Sequence, residues 1–158
     1  MLHTLPSFET VVKPEWIDYN GHMNVAYYVL AFDLATDELY EALGIGLEYK
    51  NGGQTLFTLG MNVDYLRELM EGDPIRIETQ LIDMDHKRIH YFHQMVHARE
   101  GYLAATNECL CMNVDLESRK SAPFPTAIMQ TLTDLHQTHQ NLPLPPQAFR
   151  KLGIRKAA

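Results

Sequence analysis

DYNGHMNVAYYVLAFDLATDELYEALG, residues Asp18 to Gly44, is the stretch around which this chain organises itself. Its opening, Asp18 to Asn24, is polar and turn-rich. From Val25 to Ala35 every position except Asp33 is apolar. No proline or internal glycine interrupts the run, and beyond Tyr27 only Val29 and Thr36 are β-branched, so the segment favours a helix. Asn24 is placed to cap it, because a short side-chain carbonyl can take a free amide of the first turn. Gly44 suits the position after the last turn, where a left-handed backbone ends a helix. A helix apolar nearly all round over three turns needs cover on most sides.

Working outward, the cover is β-structure. Phe8 to Val12 reads as a first strand running on toward Trp16 past Pro14, and Gly44 to Gly53 as a loop. Thr55 to Tyr65 alternates, with Phe57, Leu59, Met61, Val63 and Tyr65 on one face and Thr58, Gly60, Asn62 and Asp64 on the other, the pattern of a half-buried strand. After the turn Glu71-Gly-Asp-Pro74, further strands are expected from Ile75 toward Asp83, from Arg88 to Ala98 and from Tyr102 to Val114. Short connections make these neighbours antiparallel. Thr126 to His139 has helical character, and a Pro-rich segment and a basic end come after it. The expectation is an α+β domain over residues 1–158. In it an antiparallel sheet of about five strands wraps one long central helix within residues 8–126, and residues 126–158 form a C-terminal helix and tail.

Composition narrows the classes. A formal net charge of −7 argues against general nucleic-acid binding. No run approaches the roughly 18 apolar residues of a membrane span. MLHTLPSFETVVK lacks the basic start and apolar block of a signal peptide. Cys109 and Cys111, two apart on a strand, share a face without disulfide geometry, so two unpaired thiols suit a reducing, cytoplasmic setting.

The histidines His86, His90, His93 and His97 would line one face of a helix. Their surroundings are those of a strand, where residues four apart lie about 13 Å apart, beyond one metal ion. No metal and no cofactor are expected. No Gly-x-Ser-x-Gly elbow, P-loop or dinucleotide fingerprint is present. Asp18 stands out. Six residues before Asn24, with Gly21 allowing a tight turn, it can share a focus with the amides of a helix N-terminus, which suit a developing oxyanion. A carboxylate beside such a site suffices for a thioester, whose thiol leaving group has a pKa near 8.5 and departs without a strong acid.

Trp16-Ile-Asp-Tyr-Asn-Gly-His-Met-Asn24, followed by Tyr27 or Tyr28 and Asp33, resembles the hotdog-fold acyl-CoA thioesterases of the 4-hydroxybenzoyl-CoA thioesterase-like group. Their pattern is Asp-x-x-Gly-His-Val/Met-Asn leading into the central helix. Asp64-Tyr-Leu-Arg67 with Gly72-Asp73, and Asn113-Val-Asp-Leu with Arg119 and Pro123-Phe-Pro, resemble the ends of later strands. The opening is also similar to the betainyl-CoA thioesterase units of carnitine breakdown.

The resemblance implies that Asp18 is the catalytic carboxylate, as nucleophile or as general base, and that the Val25 amide polarises the thioester carbonyl. His22 and Asn24 would shape the turn. Many relatives carry a second Asn where this chain has Val25, so only the backbone donor remains there. Tyr28, Asp33, Asn62 and Arg88 are candidates on the substrate side. CoA esters would be substrates and a homodimer or homotetramer the working form, with no nucleic-acid or membrane partner. Two other readings share the fold, an enoyl-CoA hydratase or dehydratase using Asp18 with His22, and a non-catalytic acyl-CoA-binding protein.

Overall fold

Asn24 starts the helix. In the computed structural model, which describes residues 5–156, its side-chain oxygen accepts the Ala26 amide at 2.9 Å, and α1 runs Val25–Ala42. Leu43 closes it, and Gly44 follows at φ 73°, a conformation that glycine adopts without strain. The sheet strands are β1 Phe8–Val11, β2 Gln54–Tyr65, β3 Pro74–Met84, β4 Arg88–His97, β5 Leu103–Asp115 and the two-residue β6 Lys120–Ser121. They are antiparallel in the order β1-β3-β4-β5-β2, with β6 beside β5. A five-residue helix, α2, spans Leu47–Asn51, and α3 spans Thr126–His139. Residues 1–4 and 157–158, the ends of the expected domain, lie outside the described residues.

One side of α1 lies on the sheet. Tyr28, Ala31, Phe32 and Ala35 pack with Ile75, Ile77, Met95 and Ala105, while Leu39 and Leu43 pack with Leu81, Ile89, Tyr91 and the α3 residues Leu132 and Leu135. Burying a large apolar side chain is worth roughly 1.5–3 kcal/mol, so this seam holds the helix in place. The opposite side is bare. Val25, Leu30 and Leu34 are exposed, as are Asp33, Asp37 and Glu41, so within one chain the helix is not wrapped on most sides. Glu41 accepts the Leu47 amide at 2.7 Å, which starts α2 in a segment that reads as a loop from its glycines. Pro14–Trp16 is a 3-10 turn rather than an extension of the first strand; Pro14, with φ fixed and no amide to donate, suits the first position of such a turn.

The alternation of β2 is broken. Its register with β5 slips between Thr58 and Gly60, the mark of a β-bulge, which adds one residue and exchanges the two faces. Leu56, Thr58, Met61, Val63 and Tyr65 therefore pair with inward-facing β5 positions, whereas Phe57, Asn62 and Asp64 face out. The expected single apolar face of Phe57, Leu59, Met61, Val63 and Tyr65 does not exist. Phe57, Leu59, Met61 and Tyr65 are all exposed on a strand with no neighbour on its far edge. The four residues of β1 form the other edge.

Candidate active site

Trp16 to Asn24 forms a tight polar corner. Gly21, at φ 84°, turns the chain so that the Asp18 amide donates to the His22 carbonyl at 3.1 Å and the Gly21 amide to the Asp18 carbonyl at 3.0 Å. The Asn24 amide donates to Trp16 O at 2.9 Å, and the Met23 amide to Leu69 O at 2.8 Å. These bonds fix the corner against the core through the buried Trp16 and Met23.

Within it, Asp18 Oδ1 accepts the Asn20 amide at 2.8 Å and Oδ2 accepts Asn24 Nδ2 at 3.3 Å. The Asn24 side chain thus joins the carboxylate to the first turn of α1, capping the helix with its oxygen and steadying Asp18 with its nitrogen. The turn-forming role of Asp18 is present, and the Asn24 side chain ties its carboxylate to the first turn of α1. Asp18 is half-buried, and with two donors on a group that can accept about four, lone pairs remain for a proton or for attack. The Val25 amide donates to no acceptor among the described residues, and Val25 is 58 % exposed. A free helical amide beside a carboxylate with spare capacity can hold a negative oxygen while the carboxylate acts on the carbon or on water.

His22 turns elsewhere. Its Nε2 stands 3.6 Å from Glu68 Oε2, and the Asp18 side chain is not among its partners. Tyr65 is a site-adjacent residue that alternation alone does not single out. Its hydroxyl donates to the Val25 carbonyl at 3.1 Å, and its ring meets Tyr28 edge-on at 5.3 Å. The signal for it was the Asp64-Tyr-Leu-Arg67 segment.

The four substrate-side candidates do not converge within one chain. Tyr28 is in the core, where burial pushes its hydroxyl up to about 12. Asp33 is exposed on the bare side of α1. Asn62 lies on the outer sheet face, donating to the Arg150 carbonyl at 3.3 Å. Arg88 is held by Asp85, Nε to Oδ2 at 2.7 Å; burial works to raise that carboxyl, but the Lys87 amide and Arg88 hold it down at about 2.

The histidines separate as strand residues. His90 faces out and bonds Glu108 at 2.8 Å; His93 faces in, fully buried, with Nε2 2.9 Å from Thr36 Oγ1 and Nδ1 2.8 Å from Thr79 Oγ1. Burial lowers the His93 pKa to about 3, so the ring is neutral. Cys109 and Cys111 are both buried on the inner face, and burial raises the Cys109 thiol to about 12, far from a reactive thiolate.

Residues 12–132 match the thioesterase-like superfamily. The chain belongs to that superfamily. Over 155 residues it is 36 % identical to the betainyl-CoA thioesterase of Pseudomonas aeruginosa, covering 98 % of both chains. It is also 32 % identical to the L-carnitine dehydrogenase/betainyl-CoA thioesterase of Rhizobium meliloti, covering 94 % of this chain and 30 % of that longer protein. Among solved structures, a Staphylococcus aureus protein in complex with CoA superposes with a TM-score of 0.91 at 29 % identity, covering 98 % of both chains. A putative thioesterase from Pseudomonas putida does so with a TM-score of 0.82 at 30 % identity, over 99 % of this chain and all of the other. As a member of this superfamily the chain is a thioester hydrolase. No helix among the described residues is long and apolar enough to cross a membrane.

Proposed function

We propose that this chain hydrolyses acyl-CoA thioesters at the Asp18 corner. The Val25 amide holds the carbonyl oxygen as it becomes negative, and Asp18 attacks the carbonyl carbon or takes a proton from the attacking water. The thiolate of CoA leaves; where Asp18 is the nucleophile, water then hydrolyses the mixed anhydride formed on it, and by either route the acyl group departs as a carboxylate. The observation that carries this reading is the double use of Asn24. One side chain binds Asp18 at 3.3 Å and the Ala26 amide at 2.9 Å, so the carboxylate and the helix mouth move as one unit. The full-length relative that acts on betainyl-CoA makes a small cationic acyl group the first substrate to try.

The test is a panel of betainyl, short-chain and aromatic acyl-CoAs with a thiol-trapping dye. Turnover in the wild type and a loss of at least about a hundredfold in kcat for Asp18→Asn are expected, on the scale of a lost base or nucleophile. Unchanged turnover in that variant refutes the assignment. The hydratase reading pairs Asp18 with His22, and the turn of His22 toward Glu68 speaks against it. It would gain support from loss of enoyl-CoA ultraviolet absorbance. Binding of CoA esters with no turnover across the panel would favour a non-catalytic protein.

The reading includes a homodimer or homotetramer. The free edge of β2, with Leu59, Met61 and Tyr65 exposed on that strand, and the bare side of α1 support it, since such edges are seldom left uncovered. Sedimentation should give at least a dimer, with Leu59→Lys shifting it toward monomer. A wild-type monomer at micromolar concentration contradicts this part.

A further inference from the structure

Beyond α3 the chain runs through Pro143, Pro145 and Pro146 onto the outer face of the sheet. There it is fastened at two buried carboxylates. The Phe149 amide donates to Glu108 Oε1 and Oε2 at 3.0 and 2.9 Å, and its ring meets His90 edge-on at 5.0 Å. The Arg150 guanidinium pairs with Asp64, and the Arg150 carbonyl accepts from Asn62. Glu108 and Asp64 are 8 % and 9 % exposed. Carboxylates so buried are costly without partners, so the root of the tail has one well-defined seat.

Past the root the chain changes character. Lys151-Leu-Gly-Ile-Arg-Lys156 is exposed throughout and has no regular structure. Lys151, Arg155 and Lys156 have no ion-pair partner among the described residues, a state they share with other basic side chains such as Lys13 and Lys50, but here the three cations stand together on one exposed segment. Arg150 and these three make four of the chain's 13 Lys and Arg within seven positions, in a protein of net charge −7. The seat is also close to the chemistry. Asp64 precedes Tyr65, whose hydroxyl reaches the Val25 carbonyl, so the last turn of β2 carries the root on one face and touches the mouth of α1 with the other. Six extended residues beyond Arg150 reach up to about 20 Å, enough to meet the far end of a pantetheine-linked substrate whose thioester lies at that mouth.

We propose that Lys151, Arg155 and Lys156 form a phosphate-binding arm that closes over the nucleotide end of a CoA thioester, with Arg150 and Phe149 as its hinge post. The arm lies outside residues 12–132, the part matched to the superfamily. The ligand class is the pyrophosphate and ribose phosphate of CoA, and the interaction is charge-assisted hydrogen bonding to phosphate oxygens. The proposal rests on the acyl-CoA reading above.

The test is the full-length triple variant Lys151→Ala, Arg155→Ala, Lys156→Ala, which leaves the root and the domain untouched. CoA itself is titrated calorimetrically against wild type and variant, and KM is measured for a turned-over acyl-CoA and for the same acyl group on pantetheine, which lacks the nucleotide. The Kd of CoA and the KM of its ester should rise about tenfold or more, the scale of losing one or two charged hydrogen bonds, and the wild-type advantage should shrink as salt screens the arm. The KM of the pantetheine ester should stay within about twofold. Unchanged CoA affinity in the variant overturns the arm, as does a wild type that does not bind CoA. An equal rise for the pantetheine ester also overturns it, since the tail would then act through the fold or subunit contact. Failure of the acyl-CoA reading registers separately, as a wild type that binds CoA tightly through the arm yet turns over no CoA ester.

Discussion

The middle of the α1 seam and its N-terminal end handle polar groups in opposite ways. At its middle, Thr36 donates to the Phe32 carbonyl at 3.0 Å, so its oxygen is free to accept the Nε2 proton of His93, and Nδ1 accepts from Thr79. Tyr91 lies against Thr36 and Cys111, and Tyr40 against Tyr91. Every donor there has a buried acceptor, and Phe32 stacks on His93 at 5.9 Å. At its N-terminus, Asp18 keeps lone pairs and the Val25 amide keeps its proton, the first half-buried and the second on an exposed residue. A satisfied network stabilises a fold and has nothing left for a substrate. A corner held by the same kinds of bond, but not saturated, can still react.

That contrast can be broken from either end. The largest effect expected is on catalysis, the hundredfold or greater fall in kcat for Asp18→Asn, with unfolding stability close to wild type. If stability fell instead and kcat held, the corner would be structural and the contrast lost. Next is His93→Phe, which leaves the Thr79 hydroxyl without its acceptor and should cost about 1–3 kcal/mol in urea unfolding, with kcat of the folded enzyme unchanged.

The same histidine gives the contrast a pH signature. Its folded pKa is depressed from 6.5 to about 3, so between those values the unfolded chain binds a proton that the native state refuses. Stability is therefore unaffected above about pH 6.5 and falls as pH drops below it, by up to about 1.4 kcal/mol per unit. Urea midpoints at pH 7 and 5 measure this slope, and His93→Phe should flatten it; an identical slope in the variant would assign it elsewhere. The smallest effect is that of Asn24→Ala, which removes both cap and brace. It should cost about 1 kcal/mol in stability and lower kcat by less than Asp18→Asn does. A kcat equal to wild type would mean that Asp18 needs no bracing.

Much of this was legible in the chain because it is written locally. The cap, the end of the helix at Gly44, the Asp18 turn and the antiparallel run β3-β4-β5 all depend on residues within a few positions of one another, whereas β2, expected beside the strand that follows it, pairs with β5 instead. The features that stayed hidden depend on distance or on one extra residue. The bulge at Thr58–Gly60 turns Phe57 outward, and nothing in an alternating pattern marks where a strand takes one residue too many. The bareness of α1 and β2 was equally unreadable, since hydrophobicity says that a surface needs cover and not which chain supplies it. His93 reads as an ordinary strand histidine, and its burial comes from Thr36, 57 positions away. Arg150 and Asp64 stand 86 apart, so the fixed root of the basic end is written in no local pattern.

The central claim, that the first amide of α1 and the Asp18 carboxylate act on one substrate atom pair, is tested most directly by Val25→Pro. Val25 is the first helical residue, where proline is well tolerated, and Asn24 at φ −68°, ψ 144° already has the backbone that a following proline requires. The substitution deletes one proton donor and little else. The expected result is a melting temperature near wild type with kcat on the best acyl-CoA reduced about 10²–10³-fold, the cost of an oxyanion donor. A folded Val25→Pro enzyme with wild-type kcat would contradict the account.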